Sequence, residues 1–219
     1  MLTQSEENYL KTIYSLSSSK KKIVSTNALA EALNTKAASA TDMIQKLHKK
    51  GLVSYHKYQG VAPTTTGEKE ALQIIRKHRL WEVFLAQKLK FNWDEVHDIA
   101  EQLEHVTSPK LTEQLDIFLG RPKYDPHGDP IPNADGEMEA RPSVTLNMLT
   151  PGDCCTMISA RDTSNEFLLY LDKIKISLGA NIQILDFFEY DGSYSILVDD
   201  RSPLTISGKV AENIYVEVS

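Results

Sequence analysis

The chain is poor in cysteine, with only Cys154 and Cys155 among 219 residues, and the two are adjacent. Neighbouring thiols suit neither a disulfide framework nor the spaced thiolates of a zinc site, so both read as strand residues in ordinary packing. No apolar run approaches the roughly 20 residues that a membrane-spanning helix needs. The opening MLTQSEENYL lacks the charged-then-apolar layout of a secretion signal. A cytoplasmic protein with no membrane partner is the expectation. Catalytic signatures are missing too. There is no H-E-x-x-H, no pair of Glu-x-x-His helices of the di-iron kind, no nucleophile elbow and no phosphate-cradling glycine loop. These gaps argue against an enzyme and against a small-molecule substrate.

Basic residues are concentrated at one end. The net charge is -6, yet residues 1 to 80 carry 13 Lys/Arg against 6 Asp/Glu, a balance of +7, while the remainder is at -13. A basic module joined to an acidic body is what phosphate-backbone binding by one end of the chain requires. With 41% hydrophobic residues the chain can bury a proper core.

The pattern begins with a capping box at Thr3 to Glu6 and a helix carrying Tyr9, Leu10, Ile13, Tyr14 and Leu16 at helical spacing. After the polar run SSSKKK, a start at Ser25 or Thr26 opens a short helix. A tight turn at Asn34 to Lys36 follows, and then a second helix with Ala40, Met43, Ile44 and Leu47 on one side, stopped by Gly51. That is a helix-turn-helix layout. Its second helix would turn Lys36, Ala38, Ser39 and Asp42 to a DNA groove, with Lys46, Lys49 and the wing-tip Lys57 available for phosphate. A hairpin around residues 57 to 60 adds a wing. A capping box at Thr65 and Glu68 opens a long helix, with Leu72, Ile75, Leu80, Phe84 and Leu85 as its core; Asn92 caps the next helix, and Ser108-Pro109 opens a third that ends near Gly120. Five prolines between residues 121 and 142 read as a linker, and the β-prone runs beyond it read as a small β-barrel, with FLLYLDKIKI adding a helical turn. The fold class is therefore mainly α with a small β part. Its expected divisions are a winged helix-turn-helix at 1–67, a helical metal-binding and dimerisation region with the linker at 68–142, and a barrel at 143–219.

The stretch EVHDIAEQLEHV at 95 to 106 holds most of the chemistry. As one continuous helix it would place His97, Glu101, Glu104 and His105 within an arc of roughly 100°, beside a core stripe of Val96, Ile99, Ala100, Leu103 and Val106. Lys and Arg, which normally interleave with Glu on a solvated face, are absent from it. In IRKHRLWEVFL, His78 and Glu82 also share a face, four residues apart. Burying three imidazoles and three carboxylates without a cation would be costly. Imidazole plus carboxylate without thiolate suits Mn(II), Fe(II), Co(II) or Zn(II). The residues alone leave three readings open: a metal-responsive DNA-binding protein, a metal-binding enzyme or storage module, and a DNA-binding protein with purely structural metals. His48, His56 and His127 fall outside the constellation and read as surface or packing residues.

Through EENYLKTIY, the winged helix-turn-helix, RKHRLWEVFL, EVHDIAEQLEHV, DPHGDPIP and the terminal β region, the chain resembles the metal-dependent bacterial repressors of the diphtheria-toxin-repressor type, manganese sensors included. The resemblance implies a homodimer on double-stranded operator DNA, an SH3-like barrel of the ferrous-transport-associated kind, and two Mn(II) or Fe(II) sites per protomer. It assigns His78, Glu82 and His97 to one metal, and Glu101, Glu104 and His105 with the helix-one position Asn8 to the other. Glu166 is its best match to the oxygen ligand that the barrel lends to the first site in some relatives. Iron-sensing relatives have Met at the Asn8 position and Cys at Glu101, and manganese sensors have Asp and Glu. A further helix-one carboxylate of some manganese sensors is Lys11 here.

Overall fold

The computed structural model describes residues 2–20, 23–56, 59–138, 143–162 and 164–218, which form two compact units. The first unit comprises Met1–His78, Glu101–Glu113 and Pro132–Glu137; the second comprises Arg79–Ala100, Gln114–Ile131 and Met138–Ser219.

In the first unit, Thr3 and Glu6 close the expected capping box, with each side chain accepting from the other residue's backbone N–H. Helix α1 spans Gln4–Lys20, so it continues into the polar serine run. Helix α2 (Thr26–Ala32) is capped by Ser25, whose hydroxyl accepts from Ala28 N at 3.1 Å. Asn34 takes a left-handed backbone, and helix α3 (Ala37–Lys49) follows. The hairpin of β1 (Val53–His56) and β2 (Gly60–Pro63) is antiparallel, with Val53 opposite Pro63 and His56 opposite Gly60. Leu10, Ile13, Leu29, Ala40, Ile44, Leu47, Val53 and Val61 form one core beneath these elements.

Helix α4 (Thr65–Lys88) starts at the expected cap, so its cap lies one residue earlier. Thr64, not Thr65, accepts from Gly67 N, and its hydroxyl donates to Gly51 O. Only glycine serves at position 67, because a Cβ there would lie 1.8 Å from Leu52 O. Helix α5 (Trp93–Leu103) also departs from the expectation of one continuous helix. It stops at Leu103, leaving Glu104 and His105 in the turn that follows. Val106 is exposed rather than core, whereas Val96 and Ala100 are buried as expected. The β-branched pair Val106-Thr107 and the restriction that Pro109 places on Ser108 both weigh against a longer helix. Helix α6 (Pro109–Phe118) starts from Ser108, whose hydroxyl accepts from Leu111 N, and Gly120 lies two residues beyond its end with φ +79.

In the second unit, a single antiparallel sheet has the order β6-β5-β4-β3-β7, built from β3 (Cys154–Ala160), β4 (Asn181–Phe188), β5 (Ser193–Val198), β6 (Leu204–Ile206) and β7 (Ile214–Val218). Helix α7 (Asn165–Lys173) supplies the expected helical turn, and α8 (Gly208–Ala211) precedes the last strand. Met157, Leu171, Ile176, Ile182, Ile184 and Ile196 pack the core. Cys155 is buried and Cys154 exposed, as alternation along β3 requires. The proline-rich stretch is more than a tether. Asp125 is buried and accepts from the backbone of His127 and Asp129, and a Cβ on Gly128 would sit 2.3 Å from Ser159 Oγ. Part of the expected linker, residues 139 to 142, lies outside the described residues.

Candidate metal centre

The first unit draws ionisable groups from α1 and from the end of α5. Helix periodicity turns Leu10 and Ile13 of α1 to the core, and Glu7, Asn8 and Lys11 share a neighbouring face. Lys11 Nζ lies 2.8 Å from both oxygens of Glu104 and 3.2 Å from Glu101 Oε1. His78 Nδ1 is 2.7 Å from Glu104 Oε2. His105 Nδ1 is 2.5 Å from Glu7 Oε2, and its Nε2 is 3.8 Å from Glu104 Oε1. Burial by itself pushes the fully buried Glu104 carboxyl up. His78 and Lys11 outweigh it by hydrogen bonding and attraction, so the group is held below the ordinary carboxylate range. The Asn8 side-chain oxygen is buried and accepts no hydrogen bond, and no contact joins it to Glu101, Glu104 or His105 among the described residues.

The second unit places His97 Nδ1 3.2 Å from Glu82 Oε1 and His127 Nε2 3.9 Å from the same oxygen. Arg79 pairs with Asp125 at 3.4 Å and Asp129 at 3.2 Å and donates to Pro130 O, so it holds the DPHGD loop. Burial, and then the charge of Glu82, push the Asp125 carboxyl up to about 7 against the pull of Arg79.

His78 lies one turn before Glu82 on α4. One ligand atom from each of His78, Glu82 and His97 can be chosen so that all lie within 4.8 Å of one another. Opposite ligands about 2.1 Å from a shared ion are roughly 4.2 Å apart, so small side-chain adjustments suffice to close this set on a cation. The His78–Glu104 contact is of the kind in which a carboxylate fixes an imidazole's tautomer and leaves the other ring nitrogen as ligand. A donor set of two imidazoles and a carboxylate fits a divalent first-row metal.

Of the sequence candidates, His78, Glu82 and His97 come together, and Glu101, Glu104 and His105 gather in the first unit. Glu166 is exposed in the first turn of α7 and is not part of the three-residue set. Lys36, Ala38, Ser39, Asp42, Lys46 and Lys49 are all exposed at the start of α3 or along it, opposite the buried Ala40, Ile44 and Leu47. Lys57 lies outside the described residues. His48 and His56 are exposed, as expected. His127 lies near Glu82, at 3.9 Å, and is not a member of the three-residue set. Glu7 was missed entirely, although its place next to Asn8 on a capped amphipathic helix was a usable signal. The ion pairs of Lys11 had no signal in local spacing.

Comparison with known proteins gives matches along most of the chain. Residues 1–61 match the iron dependent repressor N-terminal DNA binding domain, 64–133 the iron dependent repressor metal binding and dimerisation domain, and 144–218 the FeoA domain. The transcriptional regulator MntR of Oceanobacillus iheyensis is 37% identical over 125 residues, covering 57% of this chain and 84% of that protein. The iron-dependent repressor IdeR of Mycobacterium leprae is 32% identical over 132 residues, covering 60% of this chain and 56% of its own length. Among solved structures, a manganese-dependent transcriptional repressor in complex with manganese is 36% identical, with a TM-score of 0.64 over 98% of this chain and all of that one.

Proposed function

Because the chain belongs to the iron-dependent repressor family of metal-sensing, DNA-binding transcriptional regulators, we propose that it is a homodimeric, metal-activated repressor of metal-uptake genes, responding to Mn(II) ahead of Fe(II). The observation that carries the metal reading is the convergence of His78, Glu82 and His97. Its donors are nitrogen and oxygen without sulfur, which suits Mn(II) and Fe(II) alike. The carboxylate at position 101, where the resemblance gives manganese sensors Glu and iron sensors Cys, puts Mn(II) ahead. Two positions per protomer are proposed: His78, Glu82 and His97 at the first, and Glu101, Glu104 and His105 with Asn8 at the second. Glu166 is proposed as a further oxygen donor to the first. A bound divalent ion supplies the positive charge that lets clustered carboxylates and neutral imidazoles stay together.

The chain's own residues do the rest. Glu7 and Lys11 join α1 to the turn after α5 through His105 and Glu104, and α1 packs on α2 and α3 through the shared core. A change in the ligand set therefore bears on the mount of α3. In a dimer, two such helices would meet successive major grooves, with Lys36, Ala38, Ser39 and Asp42 at base edges and Lys46 and Lys49 at phosphates.

The test is fluorescence anisotropy at fixed salt on duplex DNA from upstream of the protein's own gene and of neighbouring transporter genes, titrated with Mn(II), anaerobic Fe(II) and Zn(II). Affinity is expected to rise with Mn(II). Equal affinity with and without every metal would overturn the reading.

A further inference from the structure

We propose that the Lys11 ammonium is a tethered cation at the second metal position, which a divalent ion must displace, so that the two positions fill in sequence and not together. This rests on the metal-repressor reading above. Two carboxylates of the second position, Glu101 and Glu104, already hold Lys11 Nζ at 3.2 Å and 2.8 Å. The Glu104 side chain is fully buried, and that of Lys11 is 15% exposed, so this is an enclosed pair and not a solvated one. Such an ammonium satisfies the charge of the acidic set without metal.

An ammonium and a divalent ion cannot share these oxygens. At separations of a few ångströms in a partly buried site, their repulsion corresponds to well over tenfold in affinity. The long stem of Lys11 gives the displaced ammonium a route to water. The first position asks less of an incoming metal, because its set includes two imidazoles that need only be neutral to bind. Glu104 touches both Lys11 and His78, so its charge is already divided between the tethered cation and an imidazole of the first position. The Lys11–Glu104 pair also ties α1 to the turn after α5 on its own. That tie, which the resemblance assigns to metal, does not wait for metal here.

The test counts Mn(II) on the full-length protein by the electron paramagnetic resonance signal of free Mn(II), with calorimetry alongside. Wild type is expected to bind one Mn(II) per protomer strongly and a second more weakly by about tenfold or more. Lys11→Met and Lys11→Gln should bring the two affinities together by tightening the second, and Lys11→Arg should behave as wild type. Circular dichroism melts confirm that each variant is folded, and the wild-type titration stands as a test by itself. Two equally strong sites in wild type, or neutral variants that titrate like wild type, would overturn the proposal while leaving the repressor reading in place. No Mn(II) binding by any of the proteins would overturn both.

Discussion

The two donor sets use similar side chains and differ in how their charge is balanced. His78, Glu82 and His97 converge as two imidazoles and a carboxylate, whereas Glu101 and Glu104 hold an ammonium from the same chain and His105 pairs with Glu7. The comparison teaches that a cluster of potential ligands is not defined by its ligands alone. A basic residue 90 positions away in sequence decides whether the set is open to a metal.

The variant that breaks this contrast most severely is Glu104→Ala. It removes a fully buried carboxylate and leaves Lys11 and His78 facing each other, so a loss of about 3 to 5 kcal/mol is expected in a denaturant melt. The pH dependence has a defined sign. Glu104 is held below the ordinary carboxylate range, so its stabilisation is complete above that range and disappears as pH falls through the depressed value. Wild type should therefore lose stability in acid to a degree that Glu104→Ala does not, which melts at stepped pH will check.

The next effect isolates the first set. His97→Ala takes away a half-exposed imidazole, so the fold should survive by circular dichroism. The gain in DNA affinity on adding Mn(II), roughly 5 to 150-fold in coupled systems, should vanish. A persisting response would remove His97 from the set.

A smaller effect separates DNA contact from metal sensing. Lys46→Ala, on the exposed face of α3, should weaken binding to all sequences alike and lower the slope of log affinity against log salt by about one, with Mn(II) binding unchanged. The smallest concerns the adjacent cysteines. Burial pushes the Cys155 thiol up to about 11, so maleimide should label Cys154 in the native protein and reach Cys155 only on unfolding.

Much of this was legible in the sequence, for identifiable reasons. The capping box at Thr3, the Ser25 cap and the spacing of Ala40, Ile44 and Leu47 are local signals, and they located the helices of the DNA-binding region. The pairing of His78 with Glu82 follows from one helical turn. Periodicity failed where tertiary contacts decided the outcome. It ran α5 through Glu104 and His105, whereas the chain turns after Leu103 and carries Glu104 into contact with Lys11. It also treated 121–142 as a loose linker, although Arg79 clamps Asp125 and Asp129 and His127 comes beside Glu82. Pairs such as Glu7 with His105 join residues 98 apart, and no local spacing encodes them.

The claim that metal and DNA act on one another is tested most directly by measuring Mn(II) affinity of the full-length protein with and without the upstream DNA at one salt concentration. Coupling between two ligands is reciprocal, so DNA should tighten Mn(II) by the same factor by which Mn(II) tightens DNA. An Mn(II) affinity that ignores saturating DNA would contradict the account.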